Sequence, residues 1–301
     1  MGVVTCDLTA MLAEFLQFLF SGLTVGATYA LAALGLTVVY NASNVINFAQ
    51  GEFLMLGGML AVALLEIGVP PWVALPAAIL LVATIGVAVE RLAIRPAQDA
   101  EVVTLIIITL GVALVLRGAI QMWRGTETHA LPAFSGDEPI MVAGAALAPQ
   151  SLWVIGVAAT AVALQGWFFE RTRWGKAMLA TASNRLAARL MGIRIDVVLM
   201  LSFALAAALG ALGGIIVAPI TLTSFDVGIM LGLKGFVAAV LGGLGSGVGA
   251  VAGGLLLGVL EAMAAGYISS SYKDAVPFVV ILLLFMFLPR GLFGGQASER
   301  V

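Results

Sequence analysis

The stretch NASNVINFAQGEFLMLGG, residues 41–58, places Asn41, Asn44, Asn47, Gln50 and Glu52 between two strongly apolar segments. Asn41, Asn44 and Asn47 recur at every third position, so a helical turn would align their amides on one face. Amides and a carboxylate at membrane depth are costly unless they pair or face a wet cavity. Two readings stand: a short polar loop capped by asparagines, or a re-entrant or broken segment lining a pathway. The stretch contains no Lys or Arg, which favours irregular backbone around a path over a charged surface loop. These five residues are the candidate substrate-pathway residues.

A second irregular zone is TLTSFDVGIMLGLKGFVAAVLGGLGSG, residues 221–247, where Asp226 and Lys234 accompany Gly232, Gly235, Gly242, Gly243, Gly245 and Gly247. Glycines at this density serve close helix packing or an opening of the backbone towards a cavity. The zone follows an apolar segment much as 41–58 does, which points to an internal repeat with the two zones brought together. Arg117, within an apolar run, is expected to snorkel to the membrane edge. Glu66 and Glu261 are read as pathway or interfacial groups, and His129 as a solvated loop residue.

A third feature is basic. TRWGKAMLATASNRLAARLMGIRID, residues 172–196, holds a short helix, NRLAARLM, with Ser183 as the expected N-cap and Gly192 at the C′ position. One reading is an interfacial helix that only sets topology; the other is a knob that docks into a partner's groove. Motifs for catalysis are missing: there is no G-x-x-x-x-G-K-[ST], no G-x-S-x-G and no H-E-x-x-H.

The elements that position these residues must lie in lipid. Of 301 residues 62% are hydrophobic and only 10% charged, against roughly a quarter charged in an ordinary soluble domain, and the mean hydropathy is +1.13. Such a chain cannot cover its surface with polar groups, which excludes a soluble enzyme and a disordered protein. A net charge of −2 leaves no basic field for nucleic acid. One cysteine and one histidine exclude a disulfide framework and a clustered metal site. No Lys or Arg occurs before Arg91, so no secretory signal peptide is expected.

Spans of about 20 apolar residues are predicted near 12–40, 51–69, 72–90, 102–122, 151–169, 197–219, 228–267 and 274–289. The seventh is long enough for one broken helix or two spans, giving eight or nine helices in one domain covering 1–301. Short-loop basic residues orient the chain. Arg91 and Arg95, the six basic residues of 170–196 and Arg290 are expected in the cytoplasm. Glu127, Asp137 and Glu138 are expected outside, together with the N-terminus.

The runs NASNVINFAQGEFLMLGGMLA, ERLAIRPA (90–97), GKAMLATASNRLAARLMGIRID and FLPRGLFG (287–294) resemble the LivH-type membrane permeases of branched-chain amino acid ABC importers. The resemblance implies an all-α polytopic fold of the type II-like importer class, in the bacterial inner membrane. It implies a second related permease, two cytoplasmic ABC ATPase subunits that hydrolyse ATP, and a periplasmic substrate-binding protein. This chain would bind no cofactor and no metal. Segment 172–196 becomes the coupling segment, with Gly175, Lys176, Asn184, Ala187, Ala188 and Gly192 as the implied contact residues. Leu186 and Ser202 depart from the importer coupling motif. The expected mechanism is alternating access along a mostly apolar path. Permeases for urea or short amides share the NFAQGE-like region, and a channel or secondary transporter working alone is the alternative from another class.

Overall fold

The computed structural model describes residues 2–98, 100–136, 138–287 and 291–293, without the side chains of residues 2–10. Asp137, Arg290 and residues 288–290 and 294 of the FLPRGLFG run lie outside the described residues.

The chain is helical almost throughout. Its apolar helices are α1 (Gly2–Ser43), α2 (Gln50–Glu66), α3 (Pro71–Val89), α4 (Val102–Arg124), α5 (Pro149–Arg171), α8 (Ile195–Thr221), α9 (Val227–Gly242), α10 (Gly247–Tyr267) and α11 (Val276–Phe287). Two polar helices, α6 (Arg173–Ser183) and α7 (Arg185–Leu190), join α5 to α8. A π-helical turn, Glu90–Ile94, and a 3-10 turn, Arg95–Ala97, extend α3, and a 3-10 turn, Ser270–Ala275, leads into α11. A small hairpin, Ile140–Val142 with Ala145–Leu147, precedes α5. Helices start and stop where local chemistry requires: Pro71 and Pro149 stand at first positions, and Gly125 and Gly192 take positive φ just past helix ends.

Seven helices, with their flanking turns, are long and apolar enough to cross a bilayer. The predicted 228–267 segment is two helices, separated at Gly243–Ser246 where Gly243 and Gly245 have φ of 96° and 93°. Among the described residues the apolar helices therefore number nine, seven of them long enough to span, while α2 and α9, with 17 and 16 residues, are short.

The packing repeats itself. Helix α1 packs on α10 as α8 packs on α3, α1 on α9 as α8 on α2, and α11 on α9 as α4 on α2. Helices α1 and α8 run in opposite directions, with Ala27 near Ile216 and Leu31 against Gly213. The two halves, α1–α4 and α8–α11, are thus inverted copies with α5–α7 between them. Side chains follow suit: Phe48, Gly51, Leu54, Leu56, Gly58 and Ala61 match Phe225, Gly228, Leu231, Leu233, Gly235 and Ala238 at identical spacing. Each copy also leaves its long helix through a non-glycine residue of positive φ, Asn44 at 57° and Leu222 at 62°.

Small residues let these helices meet. Gly22 and Gly26 of α1 face Gly258 and Gly254 of α10 so closely that a Cβ at any of them would strike the other backbone, a small-x-x-x-small seam on both helices. Gly51 and Gly228 are reciprocal in the same way: a side chain on either would collide with the other's carbonyl. Gly51→Leu and Gly228→Leu should each exceed the ~1–3 kcal/mol of ordinary overpacking and leave little monodisperse protein in size-exclusion chromatography. Gly111→Leu and Gly118→Leu, on α4 where an added Cβ meets nothing within 4 Å, should elute as the unmodified chain does.

Candidate functional site

The contact of Gly51 with Gly228 and Gly232 joins the first turns of α2 and α9. Gln50 lies against Gly35, two helical turns before the end of α1, and against Gly210 of α8, so α2 begins inside the span rather than at its edge. The two predicted zones are therefore brought together, as an internal repeat requires. Two half-helix N-termini converge at membrane depth, the arrangement that discontinuous transporter helices use.

The polar residues of 41–58 are not aligned on one helical face. Helix α1 ends at Ser43, and the left-handed turn at Asn44 sends the chain back inward. Asn41 donates from Nδ2 to the carbonyl of Gly245, 2.9 Å away, tying the end of α1 to the break before α10. Asn44 is exposed, and its main-chain N–H closes on Tyr40. Asn47 is fully buried, and its Oδ1 accepts from the Ala49 N–H at 3.1 Å. Gln50 threads between Gly35 and Gly210 and donates from Nε2 to the Ala206 carbonyl of α8 at 3.0 Å. Glu52, also buried, pairs with Arg117 of α4. Arg117 thus turns inward instead of snorkelling, because a buried carboxylate outbids the interface for its guanidinium. Asn47 Nδ2, Gln50 Oε1 and Glu52 Oε2 have no protein partner among the described residues. Hydrogen bonding is the chemistry on offer here.

The second half-helix is pinned with the charges exchanged. Lys234 of α9 reaches Glu261 of α10 and Asp274, ahead of α11, each at 2.7 Å. The Tyr29 hydroxyl of α1 donates to the other Glu261 oxygen at 2.9 Å, and Lys234 Nζ lies 5.5 Å from the Tyr29 ring centroid. Lys234 and Glu261 stand out in a hydropathy reading; Tyr29 does not, because nothing local marks a tyrosine as the partner of a distant carboxylate. Glu66, at the end of α2, pairs with Arg124 of α4, and His129 Nδ1 lies 3.7 Å from it.

The segment after α5 forms a compact knob. Thr172 Oγ1 caps α6 by accepting from the Gly175 N–H at 3.0 Å, and Gly175 sits directly on the Phe168 carbonyl, where a Cβ would collide. The N-cap of α7 is Asn184, whose Oδ1 accepts from the Ala187 N–H at 2.9 Å. The expected cap, Ser183, instead ends α6 and donates to the Leu179 carbonyl. The break between α6 and α7 falls one residue later than its side-chain types indicate, and an extended Asn184 backbone fits the capping role. Ala188 is buried and Ala187 and Lys176 are exposed. Gly192 ends the helix at φ 82°. Leu186, Leu190 and Met191 stay 68%, 79% and 83% exposed, an apolar patch ringed by Arg185 and Arg189. At the same end, Arg95 bridges to Asp196 in the first turn of α8 at 2.9 Å.

Removing one partner of a buried ion pair costs about 3–5 kcal/mol, whereas replacing both is close to neutral. Arg117→Leu should therefore lower the thermal unfolding temperature of the detergent-solubilised chain sharply. Adding Glu52→Gln to it should restore most of the loss.

Residues 18–285 match the family described as branched-chain amino acid transport system / permease component. The high-affinity branched-chain amino acid transport system permease protein LivH of Salmonella typhimurium is 34% identical over 304 residues, covering 95% of this chain and 98% of its own length. The corresponding permease protein BraD of Pseudomonas aeruginosa is 32% identical, covering 96% of this chain and 98% of its own. A solved structure, PsaBC from Streptococcus pneumoniae in complex with Fab, shares the fold with a TM-score of 0.51 at 16% identity, over 94% of this chain and 97% of that one. With matches of this extent, the chain belongs to the permease-component family of branched-chain amino acid transport systems.

Proposed function

We propose that the chain is one membrane subunit of an ATP-driven importer that carries branched-chain amino acids across the bacterial inner membrane by alternating access. A second permease, two cytoplasmic ATPase subunits and a periplasmic binding protein complete the machine, and ATP is hydrolysed by the partners. The basic end, with Arg91, Arg95 and the α6–α7 knob, is cytoplasmic and the N-terminus periplasmic, in keeping with the positive-inside rule.

One observation carries this reading: the knob is continuous with the half-helix contact. Helix α7 passes through Gly192 into α8, α8 packs along α2, and the Ala206 carbonyl of α8 holds Gln50 at the start of α2. Force applied to Leu186, Leu190 and Met191 by an ATPase groove would travel along α8 to the place where α2 meets α9. The path runs beside that contact, between α4 and α11. Half-buried Phe48 and Phe236 pack ring against ring at 5.6 Å and give this face an aromatic floor, with half-buried Ile46 and Leu233 near them in sequence. Such a floor suits leucine-like side chains and offers no tight polar site to delay release. Asn41, Asn47, Gln50 and Glu52 shape the path by holding the break, with Asn44 at its turn.

Leu190→Asp and Met191→Asp change only exposed side chains, so both variants should reach the membrane at normal levels. In the assembled transporter each should reduce labelled-leucine uptake at least tenfold and abolish the stimulation of ATPase activity by binding protein. Normal uptake in both would refute the docking role. Uptake of urea in preference to leucine would reassign the substrate, and uptake by the purified chain alone in liposomes would replace the importer reading.

A further inference from the structure

A groove of about 1300 Å3 runs along α5 and α8, where α5 leans on α1 and α8. Leu152, Gly156, Leu164 and Phe168 of α5 and Leu205 and Leu212 of α8 form its walls. From Leu152 to Phe168 the helix rises about 24 Å, more than the ~15 Å depth of one hydrocarbon leaflet. Trp153 and Trp167 border its two ends, as indoles do at membrane interfaces. An added Cβ at Gly156 meets nothing within 4 Å, so this glycine contributes room rather than a helix contact.

The two mouths differ in charge. Glu138 stands at one. At the other, the groove face of α5 continues to Arg171, three residues beyond Phe168 and seven beyond Leu164, in helical register with both. Arg171, Arg173 and Lys176 are exposed, and the ion pairs among the described residues involve none of them. An apolar channel whose α5 wall continues into Arg171, with exposed Arg173 and Lys176 two and five residues further along the chain and a carboxylate at the other mouth, complements an anionic amphiphile held in one direction.

We propose that this groove binds an anionic phospholipid from the leaflet at the basic end. Its phosphate rests against Arg171, Arg173 and Lys176, and an acyl chain lies along α5 and α8. Each basic residue near a membrane surface is worth about fivefold in binding an anionic headgroup. The site is separate from the proposed path.

Native mass spectrometry of the full chain, purified in detergent and doped with equal phosphatidylglycerol and phosphatidylcholine, tests this. Phosphatidylglycerol should be retained at least tenfold over phosphatidylcholine. Joint replacement of Arg171, Arg173 and Lys176 by Ala should erase the preference. Gly156→Trp, with Gly156→Leu as the milder filling, should lower phosphatidylglycerol retention while the basic residues remain. Excess glycerol phosphate should not displace the lipid. Equal retention of both lipids by the unmodified chain, unchanged retention in both filled variants, or displacement by glycerol phosphate would each overturn the proposal. So would disulfide cross-linking of Gly156→Cys to another protein subunit in native membranes, because the groove would then be a protein interface.

Discussion

Two backbones in contact, at Gly51 of α2 and Gly228 of α9, are the constraint on which the rest of this architecture depends. In a bilayer, helices gain little hydrophobic energy from meeting, so association rests on close van der Waals fit and on polar pairing. The glycine contact allows two helix starts to meet in the interior without a side chain between them. Once they meet, α4 follows α2 and α11 follows α9 to opposite flanks. The glycine seam between α1 and α10 then closes one side, and α3 on α8 closes the other.

Polar pairing does the remainder. Each half-helix supplies one buried charged side chain to its outer neighbour, but the signs are exchanged: α2 supplies the acid Glu52 to Arg117, and α9 supplies the base Lys234 to half-exposed Asp274 ahead of α11. The halves therefore share a backbone plan without sharing their charges. Exchanged signs suit a membrane interior, where an unpaired charge is expensive and a neutral pair is tolerable. They also make the two flanks chemically distinct, so a path between them need not be symmetric even though its frame is.

Much of this architecture is legible in the sequence. Hydropathy locates the spans because lipid leaves helices few alternatives, and glycines 242–247 mark the break that makes two helices of 228–267. The pairing of the zones 41–58 and 221–247 was readable as a pattern, although its register, Phe48 with Phe225 and Gly51 with Gly228, emerges only with the packing. Other details depended on geometry that residue types do not encode. The threefold spacing of Asn41, Asn44 and Asn47 presumes a continuing helix, and the left-handed turn at Asn44 ends it. Ser183 and Asn184 are both capable caps, and one dihedral decides between them. Arg117 and Glu52 are far apart in sequence, so whether the arginine snorkels or pairs is a tertiary question.

The seam between α1 and α10 also bears on how the protein is made. Residues of α1 enter the membrane before those of α10, carrying a glycine face, Gly22 and Gly26, whose cover is Gly254 and Gly258, more than two hundred residues later. Glu52 and Arg117 lie within the first repeat and can neutralise one another early. Glycine faces carry no charge and can wait in lipid without penalty. Biogenesis thus proceeds with the charges of the first repeat settled locally and the α1–α10 glycine seam deferred, so α1 is enclosed only after α10 has followed it into the membrane.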